Sequence, residues 1–91
     1  MKAWQYAEMG WTQGAFARDA AGRPVGARSE RAVARCALGC IIAAYDELDA
    51  ARAVRLALRR IVEDTPADWN DSPSRTQAEV VAALKRAEEG A

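Results

Sequence analysis

The sequence predicts a small α+β domain that is mostly helical, and three observations support this prediction. The ten residues Cys36–Tyr45 contain no charged side chain, and on a helix their apolar side chains cover nearly every face. A helix of that kind is buried, so we expect it at the centre of the core. The turn sequence Asp19–Gly22 lies between residues of β type, and a capping box at Thr76 opens a final helix.

Length and composition indicate one folded domain. The chain has 91 residues, of which 51% are apolar, and this is enough for a small hydrophobic core. Thirteen basic and thirteen acidic residues cancel, so the net charge favours neither nucleic acid nor a membrane surface. Basic residues are nevertheless enriched in 1–35 and acidic residues in 61–91. We therefore expect either that the two ends lie side by side, or that the chain associates with itself or with a protein partner.

The N-terminal part of the chain predicts a helix followed by a hairpin. Residues 2–9 form the short helix, which ends at Gly10. Residues 11–18 and 23–25 flank the turn and are predicted to pair as the two strands of a small β-hairpin. Pro24 lacks the backbone N–H that a strand ladder requires, so its strand is expected at an edge.

The C-terminal part predicts three helices. Ser29 is the expected N-cap of the central helix, which spans about 30–45. A second helix is predicted over about 49–63, and the final helix over about 77–89. The intervening residues 64–75 are rich in Pro, Asp and Ser and are predicted to form the longest loop.

The two cysteines, Cys36 and Cys40, are interpreted as buried core thiols. Their spacing of four residues places both on the apolar face of the central helix, where cysteine packs as a small apolar residue. A structural zinc site needs four ligands, whereas this chain has no histidine and no third cysteine. We therefore expect no metal site.

The same cysteines bear on where the protein works. Reduced thiols are typical of a reducing compartment. Residues 1–6 lack the apolar segment of a signal peptide, and the longest uncharged apolar run is about half of what a bilayer crossing needs. We therefore expect a cytoplasmic protein with no membrane contact.

The sequence argues against catalysis. Without histidine the chain lacks the commonest general base and every Ser-His-Asp or Cys-His arrangement. Its glycines fit neither dinucleotide-binding nor P-loop spacing. Asp68 and Asp71 remain candidates for a carboxylate-dependent reaction, but no second group with a clear role accompanies them. We expect a protein that is not an enzyme and needs no cofactor.

The most unusual local sequence is Trp69–Arg75, where a tryptophan lies beside Asn, Asp and Arg. This mixture is typical of interaction hot spots. Together with the end of the hairpin it predicts a protein-binding surface made of Arg18, Asp19, Trp69, Asn70, Asp71 and Arg75. The alternative is that Trp69 packs in the core while Asn70 and Asp71 form turns. Trp11 faces the same choice, and burial in the core is favoured for it.

A second candidate surface is the exposed face of the 49–63 helix. Four arginines lie there: Arg52, Arg55, Arg59 and Arg60. They predict nucleic-acid binding as the alternative function. Against this, Glu63 and Asp64 follow Arg59 and Arg60 at a spacing that normally forms surface ion pairs. No aromatic residues are interleaved with the arginines, so a nucleic-acid partner is possible but not favoured.

Four separated segments resemble a known family. They are Trp11-Thr-Gln-Gly-Ala-Phe-Ala-Arg-Asp19, Gly22-Arg-Pro-Val25, Cys36-Ala-Leu-Gly-Cys40, and Trp69-Asn-Asp71 followed by Pro73 and Arg75-Thr-Gln-Ala-Glu-Val80. In this order the chain resembles, over about residues 10–87, a family of small uncharacterised bacterial and phage proteins classed as a domain of unknown function. The resemblance implies no activity, cofactor or partner. A presence in phages would suit a small accessory protein that binds a host factor.

Overall fold

A computed structural model of the protein describes residues 1–91 and contains five helices and three short strands. The helices are α1 (Ala3–Met9), α2 (Ala37–Ala44), α3 (Leu48–Val62), α4 (Pro66–Asn70) and α5 (Gln77–Gly90), and the strands are β1 (Ala17–Arg18), β2 (Pro24–Val25) and β3 (Ala34–Arg35). This order confirms the predicted α+β class, with a short N-terminal helix and a small hairpin ahead of the longer helices. None of the helices combines the length and the apolar character that a membrane crossing requires.

The strands form one antiparallel sheet with β1 in the middle. Ala17 of β1 lies opposite Val25 of β2 on one side and opposite Arg35 of β3 on the other. Pro24 therefore lies in an edge strand, as predicted. The predicted turn closes with a 2.9 Å hydrogen bond from the Gly22 N–H to the Asp19 carbonyl. The third strand was not predicted.

The prediction of a central helix over 30–45 is wrong for its N-terminal half. Residues 34–35 form β3, and the flanking residues continue the pairing. The N–H of Val33 donates to the Arg18 carbonyl at 2.9 Å, and the N–H of Cys36 donates to the Phe16 carbonyl at 3.0 Å. These hydrogen bonds pair the backbone carbonyls on the side of β1 that does not face β2. The free energy of this long-range pairing outweighs the weak preference of residues 30–36 for a helix.

The start of α2 is therefore set by different residues from those expected. Ser29 caps no helix; its hydroxyl accepts a hydrogen bond from the Arg31 N–H in a turn before β3. Cys36 is the N-cap of α2, and its sulfur accepts from the Gly39 N–H at 3.3 Å. A Cβ atom at Gly39 would lie 2.0 Å from the Phe16 carbonyl oxygen. Glycine is needed there because α2 packs directly on the backbone that leads into β1.

The predicted 64–75 loop contains the short helix α4. Thr65 is its N-cap, with a hydroxyl that accepts from the Asp68 N–H at 3.4 Å, and Pro66 occupies its first turn. Threonine followed by proline is a recognised start signal, so this helix could have been predicted from the sequence. The prediction for the last helix was more accurate, because the Thr76–Glu79 capping box forms as expected.

Helices α2 and α5 make most of the core. Helix α2 contacts α1, α3 and α4, while α5 packs against α1 and α3. The core is built from small and branched side chains: Ala3, Ala7, Ala37, Cys40, Ile41, Val54, Leu58, Val80, Ala83, Leu84 and Ala87. Both cysteines are buried as free thiols, in agreement with their interpretation as core residues.

The carboxylate of Glu88 holds α1 in place. It accepts hydrogen bonds from the N–H groups of Ala3 and Trp4, both at 2.9 Å, and from the Tyr45 hydroxyl at 2.5 Å. A negative charge at this point satisfies the unpaired N–H groups at the start of α1. Glu88 thereby joins α5, α1 and the end of α2.

Candidate binding surface

The two segments that carry Trp11 and Trp69 are joined through the side chain of Asn70, which is only 1% exposed. Its Oδ1 accepts from the Trp11 indole N–H at 2.7 Å and from the Ala37 N–H at 2.9 Å. Its Nδ2 donates to the Thr12 carbonyl at 3.2 Å and to the neighbouring carboxylate at 3.0 Å. All four hydrogen-bonding positions of the amide are therefore used inside the protein.

Further hydrogen bonds join the segment after Trp11 to the segment that contains Asn70. Nε2 of Gln13 donates to the carbonyls of Asn70 and Ser72 at 2.9 and 2.8 Å. The Gly14 N–H donates to Oδ1 of Asp71 at 3.0 Å. We refer to this network of residues 11–14 with 70–72 as the Asn70 junction. It fixes α4 against the segment that leads into β1.

Trp11 and Trp69 are each partly exposed, and each packs against the core. The Arg75 guanidinium lies 4.1 Å from the centre of the Trp69 ring, and Nε of Arg75 donates to the Trp69 carbonyl at 2.9 Å. Arg75 also forms an ion pair with Glu79 at 3.3 Å. These contacts support the interpretation that Trp11 and Trp69 pack against the core. The Arg75 guanidinium covers one face of the Trp69 ring.

The predicted hairpin residues are also engaged internally. Arg18 donates to one hydroxyl and two carbonyl oxygens of the adjoining turns. Asp19 is 8% exposed, accepts from the N–H groups of Ala21 and Arg23, and pairs with the Arg23 guanidinium at 3.0 Å. Arg18, Asp19 and Asn70 thus organise the fold. The role of the six predicted surface residues in partner binding stays a prediction.

A different surface presents apolar side chains to solvent. A groove of about 360 Å³ lies between α2, α3 and the residue before β1, and we name it the Leu38 groove. Its lining consists of Phe16, Leu38, Ile41, Ile42, Leu48 and Ala51, with Arg52 and Arg55. Phe16 is 54% exposed and Leu48 is 67% exposed. The groove is therefore mostly aliphatic, with positive charge supplied from α3.

Two further depressions share Leu38 with the Leu38 groove. One, of about 270 Å³, runs toward α4 and is bordered by Leu56 and Arg59. The other, of about 280 Å³, runs toward the Asn70 junction and is bordered by Phe16 and Asp71. Leu38 therefore belongs to three neighbouring depressions that each expose apolar side chains, and a cluster of exposed apolar side chains can mark an interaction site.

The arginines of α3 form no ion pair within the fold. The ion pairs of the protein involve Arg23, Arg28 and Arg75. Arg59 and Arg60 share an open depression with the acidic residues that follow them, but the expected i, i+4 ion pairs do not form. The α3 face therefore carries four exposed guanidinium groups without a carboxylate partner: Arg52, Arg55, Arg59 and Arg60.

Sequence reasoning missed the Leu38 groove, although α3 contains a signal for it. The predicted inward residues include Val54 and Leu58, which are buried. Leu48 and Leu56 are out of phase with that set, so a helix that buries one set must expose the other. Phe16 offered no such signal, because its position beside Leu38 depends on the pairing of β1 with β3.

The other candidate reactive groups are two buried thiols and two exposed carboxylates. Burial raises the pKa of the Cys36 thiol, and it raises the pKa of Cys40 to about 12. Protonated thiols are weak nucleophiles near neutral pH. Asp68 and Asp71 are exposed on and after α4. No group of three or more Cys, Asp or Glu side chains is placed to hold a metal ion.

Comparison with known proteins identifies the family. No curated protein and no solved structure matches the chain. A family model does match, over residues 7–90, and its description is a family of unknown function (DUF6197). The match covers nearly the whole chain and includes all the segments of the Asn70 junction and the Leu38 groove. The protein belongs to this family of unknown function.

Proposed function

We propose that the protein is a non-enzymatic binding module that recognises a protein partner through the Leu38 groove. The observation that carries this proposal is the exposure of Phe16 and Leu48, which line the same groove as Leu38. Large apolar side chains that are exposed together lose a favourable burial free energy unless a partner covers them. A small accessory domain can use such a surface without any catalytic group.

The surroundings of the groove support binding rather than chemistry. Its only ionisable side chains are Arg52 and Arg55, and a guanidinium donates hydrogen bonds but accepts none, which does not suit a general base. In the adjoining depression the thiol of Cys36 has a raised pKa. The chemistry present is apolar contact and positive charge, which suits recognition.

The test is a selection of peptides from a displayed random library against the immobilised full-length protein. Enriched peptides are then measured by fluorescence anisotropy against variants of matched exposure. Leu48→Ser is paired with Met9→Ser, since these side chains are 67% and 69% exposed. Phe16→Ser is paired with Val33→Ser, since both are 54% exposed.

The expected result is at least tenfold weaker binding for Leu48→Ser and Phe16→Ser, with Met9→Ser and Val33→Ser unchanged, as expected for truncation of central contacts. Equal affinities for the paired variants would contradict the proposal. Failure to enrich any peptide would contradict it as well. Circular dichroism and thermal melting of each variant confirm that the fold is retained.

Nucleic-acid binding is the second candidate function. It is favoured by the absence of ion pairs at Arg52, Arg55, Arg59 and Arg60. Phosphate contacts by free arginines give affinity that falls steeply with salt. A salt-sensitive gel shift with single- or double-stranded DNA or RNA, lost in Arg55→Glu/Arg59→Glu, would support this function. The net charge of zero works against it.

We also propose that the protein acts in the cytoplasm. The two buried free thiols support this proposal, because a reducing compartment keeps such thiols unpaired. An accessory role in phage, directed at a host factor, stays a prediction. Recovery of the partner that the Leu38 groove binds is the direct way to examine it.

A further inference from the structure

We propose that the segment bound in the Leu38 groove is an acidic amphipathic helix of the partner protein. This inference rests on the proposed function and specifies the chemistry of the partner. The apolar side chains of the partner helix would fill the groove, and the carboxylates of that helix would pair with Arg52, Arg55 and Arg59. Three features of the structure support this occupant: the placement of these arginines, their lack of ion-pair partners, and the shape of the groove.

The arginines border the apolar surface in a regular row. Arg52 and Arg55 line the Leu38 groove, and Arg55 and Arg59 line the depression that adjoins it. Their spacing of three and four residues places them along one side of α3. From Arg52 to Arg59 the row spans seven residue steps, or about 10 Å along the helix axis.

This row matches the spacing of charges on another helix. A partner helix that lies alongside α3 can present carboxylates at positions j, j+3 or j+4, and j+7, which cover the same distance of about 10 Å. Its adjacent apolar positions then face the groove, as in other helix-in-groove complexes. A volume of about 360 Å³ accommodates about two ring-sized side chains, since 150 Å³ holds one benzene.

A second copy of this chain does not fit the same groove. A symmetric pair through the groove would bring two copies of Arg52 and Arg55 together, and the groove lining contains no carboxylate to pair with them. Like charges that face each other across an interface oppose association. The positive border therefore selects a negatively charged partner.

The lining favours a peptide over nucleic acid. Leu38, Ile41, Ile42 and Leu48 present an aliphatic wall, which complements leucine-like side chains. Nucleic-acid grooves instead combine a positive track with several aromatic side chains for base stacking, and this groove contains one aromatic residue, Phe16. An acidic amphipathic helix satisfies both the apolar wall and the arginine row.

The test is a charge inversion in two parallel selections. A displayed library of random 16-residue peptides is selected on the wild-type protein and on Arg52→Glu/Arg55→Glu. These arginines make no hydrogen bond or ion pair in the fold, so the variant is expected to remain folded, which thermal melting verifies. A matched variant, Arg31→Glu/Arg86→Glu, changes the net charge equally at exposed arginines outside the groove.

The wild-type protein and the matched variant are expected to enrich peptides with leucine-like residues and Asp or Glu at helical spacing. The Arg52→Glu/Arg55→Glu variant is expected to enrich the same apolar pattern with Lys or Arg. In the best wild-type peptide, replacement of three Glu by Gln is expected to weaken binding about tenfold at 0.15 M salt, and less at 1 M salt.

The outcomes separate this inference from the proposed function. Apolar peptides without acidic bias, bound equally by both charge variants, would overturn the acidic partner and leave the proposed binding groove standing. No enriched peptide at all would overturn both. Binding of a 20-nucleotide DNA probe that is lost in Arg52→Glu/Arg55→Glu, without any peptide enrichment, would replace both with the nucleic-acid function. Dimerisation through the groove, seen by ultracentrifugation and lost in Leu48→Ser, would overturn the acidic partner.

Discussion

The side chain of Asn70 accepts a hydrogen bond from the indole N–H of Trp11 at 2.7 Å, although the two residues are 59 positions apart in the chain. The same oxygen also accepts from the N–H of Ala37 at the start of α2. One buried amide therefore joins the N-terminal segment, α2 and α4. Residues of α2 and α4 also line the depressions around Leu38, so this junction holds together two of the elements that border the proposed binding groove.

Asn70→Ala is expected to lower the free energy of unfolding by about 3 kcal/mol. The substitution leaves the N–H groups of Trp11 and Ala37 without an acceptor, and a buried unpaired donor costs about 1–3 kcal/mol. Chemical denaturation followed by tryptophan fluorescence measures the change. Ser74→Ala is the control, since Ser74 is exposed and its nearest polar contact is 3.5 Å away. A loss below about 1 kcal/mol would contradict the assigned role of Asn70.

Gly39→Ala is expected to destabilise the protein by at least about 1–3 kcal/mol. The added Cβ would lie 2.0 Å from the Phe16 carbonyl oxygen, so α2 must move away from the strand segment. Gly26→Ala provides the comparison, because a Cβ there meets no atom within 4 Å. Equal thermal stability of the two variants would show that α2 does not pack against Phe16 as described.

Cys40→Ser and Cys36→Ser are expected to have different effects. Cys40 is fully buried, and its sulfur has only a weak contact of 3.9 Å with the Arg35 carbonyl, so a hydroxyl there should cost about 1–2 kcal/mol. Cys36 is the N-cap of α2, a position that serine prefers, so its replacement should change stability by less than about 0.5 kcal/mol. Urea unfolding of both variants provides the comparison, and the opposite order would refute this assignment.

Stability is expected to fall in alkaline solution. The thiol pKa of Cys40 is raised from 9.0 in the unfolded chain to about 12 in the folded protein. Below pH 9 both states keep the proton, so stability is unaffected; between pH 9 and 12 only the unfolded state loses it. The contribution of Cys40 to the free energy of unfolding therefore decreases by up to about 1.4 kcal/mol per pH unit.

Urea unfolding at pH 8, 9.5 and 10.5 measures this dependence. The raised pKa values of Cys36 and Tyr45 act in the same direction. Cys40→Ala removes one of the three groups, so its stability should fall less steeply with pH than that of the wild type. A slope identical to the wild type above pH 9 would count against the burial of this thiol.

Local signals predicted several elements well. The Thr76–Glu79 capping box, the Asp19–Gly22 turn and the edge position of Pro24 all form as expected. Each depends on residues a few positions apart, so the information is contained in a short stretch of sequence. The boundary of α2 was predicted less well, because residues 34–35 pair with a strand that lies sixteen or more positions earlier.

The sequence by itself determined the α+β class, the apolar character of α2 and the arginine row on α3, since composition and periodicity fix which side chains a helix exposes or buries. Only the tertiary structure decided that Asn70 is a buried junction and that Phe16, Leu38 and Leu48 meet at one groove. These features arise from hydrogen bonds and contacts between distant segments. The free energy of these contacts depends on how the helices and strands pack together, and a short stretch of sequence does not specify that packing.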